Sequence, residues 1–349
     1  LFKITPSGAY TILHEFTGGS DGGAPVPAPI QASDGSLYGN TSFSSLSAGT
    51  IYRFSPSSAT FATIFSFPQD GSQGKQMTTS LIQASDGNLY GTTELGGSSN
   101  SGTVFKVSTS GSLLTSYSFP SGTGGALPLA PLVQASDGNI YGTTFYGGTT
   151  TDQCKTGCGT IFKMSDGTAS VLYSFAGTVA DGAFPEAGLT EGTDGDLYGS
   201  TLKGGKNQLG TLYRITTSGQ YELLYSFAAA VGSGPAAALL QHTNGKFYGT
   251  ASGDGRNNAG SLYSFDVGLS PLLALVRYSG RVGQPVQILG QGFTGTTGVT
   301  INGIAVTSFK VVSDAYMTAV IPTGATTGPV VVTTPTGTLT SNRNFQVVH

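Results

Sequence analysis

Charge is scarce in this chain. Asp, Glu, Lys and Arg make up 9% of its 349 residues, against a usual globular share of about 25%. The net charge of −3 contains no basic stripe, which argues against nucleic acid as a partner. No run of eighteen or more apolar residues occurs, so no membrane span is expected. No stretch carries apolar residues at i, i+3, i+4 and i+7 between helix caps, which argues against a helical fold. Histidine is limited to His14, His242 and His349, and none stands where it would activate a serine or complete a metal site. No catalytic, cofactor-binding or metal-binding residue is therefore assigned. Cysteine is limited to Cys154 and Cys158, in Thr151-Asp152-Gln153-Cys154-Lys155-Thr156-Gly157-Cys158. Their expected role is a disulfide stapling a loop, which fits an oxidising compartment.

Glycine, at 54 residues, is abundant, as are Phe (19) and Tyr (16). Such a composition suits either disorder or an all-β chain whose turns consume the glycines. The aromatics recur in register, which favours the second. The recurring unit is Leu81-Ile82-Gln83-Ala84-Ser85-Asp86-Gly87-Asn88-Leu89-Tyr90-Gly91-Thr92-Thr93. Two apolar runs flank Asp-Gly, so the unit reads as a β-hairpin closed by a two-residue turn. It occurs five times, with its tyrosine at Tyr38, Tyr90, Tyr141, Tyr198 and Tyr248, at intervals of 52, 51, 57 and 50 residues. A period near fifty marks a repeat architecture. The two cysteines fall inside the longest interval, hence in a loop insertion.

Each repeat holds four candidate strands, named A to D in chain order. Four antiparallel strands per repeat describe a β-propeller blade. A and B occur five times. C occurs six times, at residues 1–4, 51–54, 104–107, 161–164, 212–215 and 262–265. D is clear five times, ending at Phe16, Phe67, Phe119, Phe175 and Phe227; a sixth, at 272–276, lacks the Ser-Phe ending. About five four-stranded blades thus leave one C strand over. The terminal strands Leu1, Phe2, Lys3, Ile4 and Leu262, Tyr263, Ser264, Phe265 are the candidates for pairing with another subunit. The chain begins in mid-repeat without an initiator Met or a signal peptide, so a processed or truncated portion of a longer precursor is expected.

Near Ser270-Pro271 the repeat stops and Val/Ile alternation takes over. Roughly seven short strands follow, one pair joined by Asn302-Gly303, and they read as an immunoglobulin-like β-sandwich. Residues 1–268 form the expected propeller domain and 269–349 the sandwich. The repeats, of the form Gly-Thr-Val-Phe-Lys…Tyr-Ser-Phe…Leu-Ile-Gln-Ala-Ser-Asp-Gly-Asn-Leu-Tyr-Gly-Thr-Thr, resemble bacterial choice-of-anchor tandem-repeat proteins of the GloVer type over residues 1–266. The tail, with Ile288-Leu289-Gly290-Gln291-Gly292-Phe293 and Val299-Thr300-Ile301-Asn302-Gly303, is similar to IPT/TIG domains. These resemblances imply a secreted or surface bacterial protein and bring no catalytic residues with them.

The remaining chemical candidates are weak. The turn residues Asp34, Asp86, Asp137, Asp194 and Asn244 are explained by turn chemistry, although a calcium or sugar ring is the alternative. Asp194-Gly195-Asp196 with Glu191 is the densest acidic group and too short to wrap calcium. Gln31, Gln83, Gln134, Glu191 and Gln241 recur in the A strands; they either line a channel or bond neighbouring blades. Phe145 and Tyr146 have no counterpart in other repeats. Glycosidase chemistry needs two flanking carboxylates, and Glu191 is the one acid of that ring. The expected protein is therefore an exported, extracellular, non-enzymatic structural or adhesive protein that self-associates into a surface polymer or filament. The alternatives are a monomeric glycan-binding module and, behind it, a carbohydrate-active enzyme on a propeller scaffold.

Overall fold

The short alternating runs and their glycine-rich connections form strands throughout. The structure is a computed structural model describing residues 1–255 and 258–348; His349 lies outside the described residues. A 3-10 turn is formed at Gly122–Gly124. The chain opens with an antiparallel hairpin of β1 (Phe2–Ile4) and β2 (Tyr10–Ile12). Four four-stranded antiparallel sheets follow. The first is β3 (Ile30–Gln31), β4 (Leu37–Thr41), β5 (Thr50–Ser55) and β6 (Thr60–Ser66). The second is β7 (Ile82–Gln83), β8 (Leu89–Thr93), β9 (Thr103–Val107) and β10 (Leu113–Ser118). The third is β11 (Val133–Gln134), β12 (Ile140–Thr144), β13 (Thr160–Ser165) and β14 (Thr168–Ser174). In the fourth repeat a small pair, β15 (Gly182–Ala183) with β18 (Lys203–Gly204), accompanies β16 (Thr190–Glu191), β17 (Leu197–Thr201), β19 (Thr211–Ile215) and β20 (Tyr221–Ser226). The fifth sheet has three strands, β21 (Leu240–Gln241), β22 (Phe247–Ala251) and β23 (Ser261–Phe265).

Neighbouring repeats share cores, and this explains the recurrent aromatics. Tyr38, Ile51 and Phe67 of the first repeat are buried with Phe105 and Val107 of the second. Val104 and Phe119 of the second are buried with Phe162 and Met164 of the third. Tyr141, Ile161 and Phe175 of the third are buried with Leu197, Tyr213 and Ile215 of the fourth. Each sheet is thus apolar on both faces. The repeated threonines are explained as well. Thr41 and Thr50, Thr93 and Thr103, Thr144 and Thr160, and Thr201 and Thr211 pair their buried hydroxyls at 2.8, 2.9, 2.7 and 2.7 Å. Each hydroxyl so buried has a partner, which avoids the cost of an unpaired one.

Chain contacts divide the molecule into two compact units. One comprises Leu1–Glu191, Gly195–Leu239 and Gly249–Leu262; the other comprises Gly192–Asp194, Leu240–Tyr248 and Tyr263–His349. The second contains two more four-stranded sheets. One runs β24 (Ala274–Leu275), β26 (Pro285–Leu289), β30 (Tyr316–Val320), β29 (Phe309–Ser313). The other runs β28 (Ile304–Ala305), β27 (Gly298–Ile301), β31 (Val330–Thr334), β32 (Gly337–Thr340). Both contribute to one buried cluster, with Val286, Ile288 and Met317 from the first and Val299, Ile301 and Val332 from the second. A parallel pair, β25 (Ser279–Arg281) with β33 (Gln346–Val348), completes the set. The segment 272–276, read from sequence as a sixth D strand, is not one. Ala274 and Leu275 pair with β26, and Leu272 and Leu273 are buried.

Candidate functional site

The A–B turn is the most repeated polar feature, and its geometry differs from the two-residue turn read from sequence. In the second repeat Gly87 N donates to Ala84 O and Ala84 N to Asn88 O, which leaves a three-residue loop, Ser85-Asp86-Gly87. The glycine alone takes positive φ, at +80°. Asp86 instead caps the loop: one carboxylate oxygen accepts the Asn88 N–H at 3.0 Å, and the other accepts the Tyr90 hydroxyl at 2.9 Å and the Lys106 ammonium at 2.8 Å. Asp137 repeats this with Asn139, Tyr141 and Lys163. Asp34 does so with Ser36, Tyr38 and Arg53. In the fourth repeat Arg214 reaches Asp196. Sequence reasoning passed over this third partner, although a Lys or Arg at one fixed position of the C strand was its signal.

Burial works against the charge on Asp86, but Lys106, Asn88 and Tyr90 outweigh it and bring its pKa down to about 2. The folded value lies below the unfolded one, so the stability it contributes is present above about pH 4 and lost as pH falls toward 2. Its side chain is 38% exposed, so screening reduces this contribution to about 1 kcal/mol. Urea midpoints of the wild type are therefore expected to fall across that window, and less steeply for Asp86→Ala. Equal slopes for the two proteins would refute the assignment.

Four of the five A-strand polar residues, Gln83, Gln134, Glu191 and Gln241, connect repeats, whereas Gln31 bonds the Gly35 carbonyl of its own turn. Gln83 accepts the Ser33 N–H, Gln134 the Ser85 N–H and Glu191 the Ser136 N–H, each at 2.8 Å. Gln83 and Gln134 also donate to the glycine carbonyl of their own turn at 2.9 Å. Gln83 and Gln134 thus each tie two successive turns together. Glu191 additionally accepts the Ser136 hydroxyl at 2.6 Å, so its Oε1 is bound twice by the preceding turn.

Buried Asp181 is an acid that sequence reasoning missed. It accepts the N–H groups of Ala176 and Gly182, both at 2.7 Å. Burial raises its pKa, and those two N–H groups oppose the rise. Asp21 occupies the matching place in the first repeat, accepting from the Thr17 N–H and facing His14 Nε2, each at 3.0 Å. Both acids close the connection that follows a D strand. Among the described residues no group of three His, Cys, Asp or Glu side chains is placed to hold a metal ion.

Phe145 and Tyr146 do not stand free; Phe145 stacks on Phe184 at 5.2 Å and Tyr146 meets the same ring edge-on at 5.9 Å. Cys154 and Cys158 are joined, and both are buried in the core shared by the third and fourth repeats. The bridge closes a short loop, whose entropic gain falls below the ~3 kcal/mol of a fifteen-residue loop. Its burial adds a packing role. Thiol titration of the unfolded, unreduced chain is expected to find no free thiol. The double Cys→Ser variant is expected to cost more than the double Cys→Ala variant, because hydroxyls enter an apolar site. Free thiols, or a reversed order, would refute this.

One groove, of about 340 Å³, opens between the second and third repeats beside Tyr90, Lys106, Asn139 and Asp166. It exists because a turn is shortened. Val107 and Leu113 pair across five intervening residues, whereas Met164 and Ala169 pair across four. The longer turn of the second repeat brings the Thr109 carbonyl to within 3.5 Å of the Tyr38 hydroxyl. Tyr38, Tyr141 and Tyr198 are buried, while Tyr90 is half-buried.

The ends of the repeat array are bare. Phe2, Ile4 and Tyr10 are each 60% exposed and Ile12 53%. Leu262 of β23 is 75% exposed and Leu240 of β21 63%. Tyr263, by contrast, is buried.

Residues 1–191 and 145–311 match the Gloeobacter/Verrucomicrobia repeat, and the chain belongs to this bacterial repeat family. No curated protein matches it. Among solved structures it is similar to TolB from Acinetobacter baumannii, at 14% identity and a TM-score of 0.42, over 68% of this chain and 51% of that one. The chain therefore spans about half of TolB. A gluconolactonase from Xanthomonas campestris, XC5397, is 12% identical with a TM-score of 0.41, over 85% and 86% of the two chains. The β-propeller domain of the Trilobed protease from Pyrococcus furiosus is 14% identical with a TM-score of 0.42, over 75% and 73%. At such identities no activity transfers. No helix among the described residues is long and apolar enough to cross a membrane.

Proposed function

We propose that this chain is an exported, extracellular bacterial structural protein that self-associates into a polymer. In this reading residues 1–268 are a propeller-type array of about five blades, and residues 269–349 are an immunoglobulin-like sandwich of IPT/TIG type. The observation that carries the proposal is a set of exposed apolar side chains, Phe2, Ile4, Tyr10 and Ile12 on β1 and β2 and Leu240 and Leu262 on β21 and β23. A concentration of exposed apolar side chains marks an interaction surface. The reading is non-enzymatic. Asp86 on the groove wall is held as a carboxylate by Lys106, Glu191 is taken by Ser136, and a glycosidase needs one acid of raised pKa beside a free partner.

Light scattering of the intact chain over rising concentration, with electron microscopy of the same samples, tests this. Mass growing beyond one chain, with filaments, is expected; a monodisperse monomer at high concentration would refute it. The groove beside Tyr90 favours a second reading, a monomeric glycan-binding module, since its donors and acceptors sit in a space at the low end of ligand-pocket size. That reading gains if the chain stays monomeric.

A further inference from the structure

The groove between the second and third repeats is opened by two departures from the repeat pattern that fall at one place. In the pairs β5–β6, β13–β14 and β19–β20 a register shift skips one D-strand residue, respectively Ile64, Leu172 and Leu224. Ile64 and Leu172 pack against the cores shared with the following repeats. In β9–β10 the skipped residue is instead Leu114, which is 50% exposed, and Ser116 holds the sequence place of Ile64 and Leu172. Elsewhere the next turn closes over the skipped residue. A Cβ at Gly111 would meet the Ile64 carbonyl, and one at Gly219 would lie 3.2 Å from the Leu172 carbonyl oxygen. The shortened turn of the third repeat makes no such backbone contact: the atoms nearest a Cβ at Gly167 all belong to the Thr115 side chain, the closest at 2.9 Å. A displaced bulge and a shortened turn thus leave one space unfilled.

That space, of about 340 Å³, is lined by the apolar side chains of buried Ile140 and Met164 and by polar groups of two kinds. Asp86, Tyr90 and Lys106 are bonded to one another, with the Lys106 ammonium 5.6 Å from the centre of the Tyr90 ring. The Thr115 hydroxyl and the Asp166 carboxylate have no hydrogen-bond or ion-pair partner among the described residues. Asn139 gives its side-chain N–H to Asp137, which leaves its Oδ1 as an acceptor. Unspent hydroxyl and amide groups beside apolar side chains suit a ring with hydroxyls on its edge and C–H groups on its face. Charge adds a choice. Lys106 is neutralised by Asp86, so Asp166 is the uncompensated charge of the lining. We infer that the groove takes a single sugar ring and selects one bearing an amine, with a neutral ring second and an acidic ring last. The inference rests on the glycan reading of this groove given above and narrows it to a charge class. A space at the low end of ligand-pocket size holds one ring rather than a chain. An acidic ring would add a third carboxylate to those of Asp86 and Asp166 with no free cation to receive it.

Titration of the intact chain with the methyl glycosides of glucosamine, glucose and glucuronate tests this, read by saturation-transfer NMR at mildly acidic pH, where the amine is charged. The amino sugar is expected to bind about tenfold more tightly than the acidic one, with the neutral sugar between them. Asp166→Asn is expected to bring the amino sugar to within about twofold of the neutral one. Asn tolerates the positive φ of 50° at this position, so the turn is kept. Thr115→Leu fills the space and is expected to abolish binding of all three sugars. Circular dichroism reports whether that variant is folded; if it is not, Asp166→Asn decides. An acidic sugar bound as tightly as the amino sugar, or an amine preference unchanged in Asp166→Asn, would overturn the charge selection and leave the groove a sugar site. Undiminished binding by folded Thr115→Leu would take the ligand out of the groove and overturn the inference, with glycan binding itself surviving. No binding of any of the three by the wild type would overturn the inference together with the glycan reading.

Discussion

Gly142→Ala is expected to lower the stability of the repeat array by about 2–3 kcal/mol although it adds one methyl group. A Cβ at Gly142 would lie 2.5 Å from Phe162 Cζ and 2.8 Å from Leu132 Cδ2. Both are buried in the core shared by the second and third repeats, and Phe162 is held edge-on by Phe119 at 5.1 Å. The ring has nowhere to go without disturbing the neighbouring sheet, and dense interiors resist added volume. The same glycine stands at Gly39, Gly91 and Gly199, under Tyr52, Phe105 and Tyr213. Its presence in the repeated Leu-Tyr-Gly is thus a matter of space: φ at these four positions is not positive. Gly138 makes the contrast. It has φ of +84° and nothing within 4 Å of a built Cβ, so Gly138→Ala is expected to cost only the backbone strain, about 1 kcal/mol. Urea unfolding followed by circular dichroism separates the two, and the chain has no tryptophan to follow instead. Equal losses at the two positions would show that the strand glycine is not a packing residue.

The all-β repeat was legible because period-two alternation and turn residues are local properties. The hairpin at Asn302-Gly303 was legible for the same reason, with both residues at positive φ. The turn type was not. Asp-Gly is compatible with either a two-residue or a three-residue loop, and the choice is made by Asp86 binding Asn88, Tyr90 and Lys106. Asn88 and Tyr90 lie within the motif itself, but Lys106 is distant in sequence and becomes a neighbour only through the register that pairs it with Tyr90. The groove depends on one missing residue in a turn, a difference visible only when repeats are aligned against the pairing register. Exposure at the ends was least legible of all. Phe2-Lys3-Ile4 and Phe105-Lys106-Val107 read alike, yet Phe2 and Ile4 are bare while Phe105 and Val107 are buried. Burial there is conferred by the adjoining repeat, so no residue pattern within the strand reports it.

Charging the bare hairpin should abolish assembly without unfolding the chain. Phe2 faces Ile12 and Ile4 faces Tyr10 across the hairpin, so the four exposed side chains share one face. Burying two such side chains is worth roughly 3–6 kcal/mol at about 1.5–3 kcal/mol each. Placing lysines there removes that gain and adds the desolvation of two ammonium groups. The Ile4→Lys, Ile12→Lys double variant is therefore expected to weaken self-association by more than about a hundredfold. Its urea midpoint should stay near that of the wild type, because both positions are already in water. Removing residues 1–16 altogether is the poorer experiment. His14 stacks on Phe61 at 3.5 Å and Phe16 meets Tyr52 at 5.1 Å, so the deletion would uncover the first repeat and create a new apolar face. Light scattering of the double variant beside the wild type reads the outcome. Assemblies that persist unchanged, with the variant folded, would remove the hairpin from the interface and with it the observation on which the polymer proposal stands.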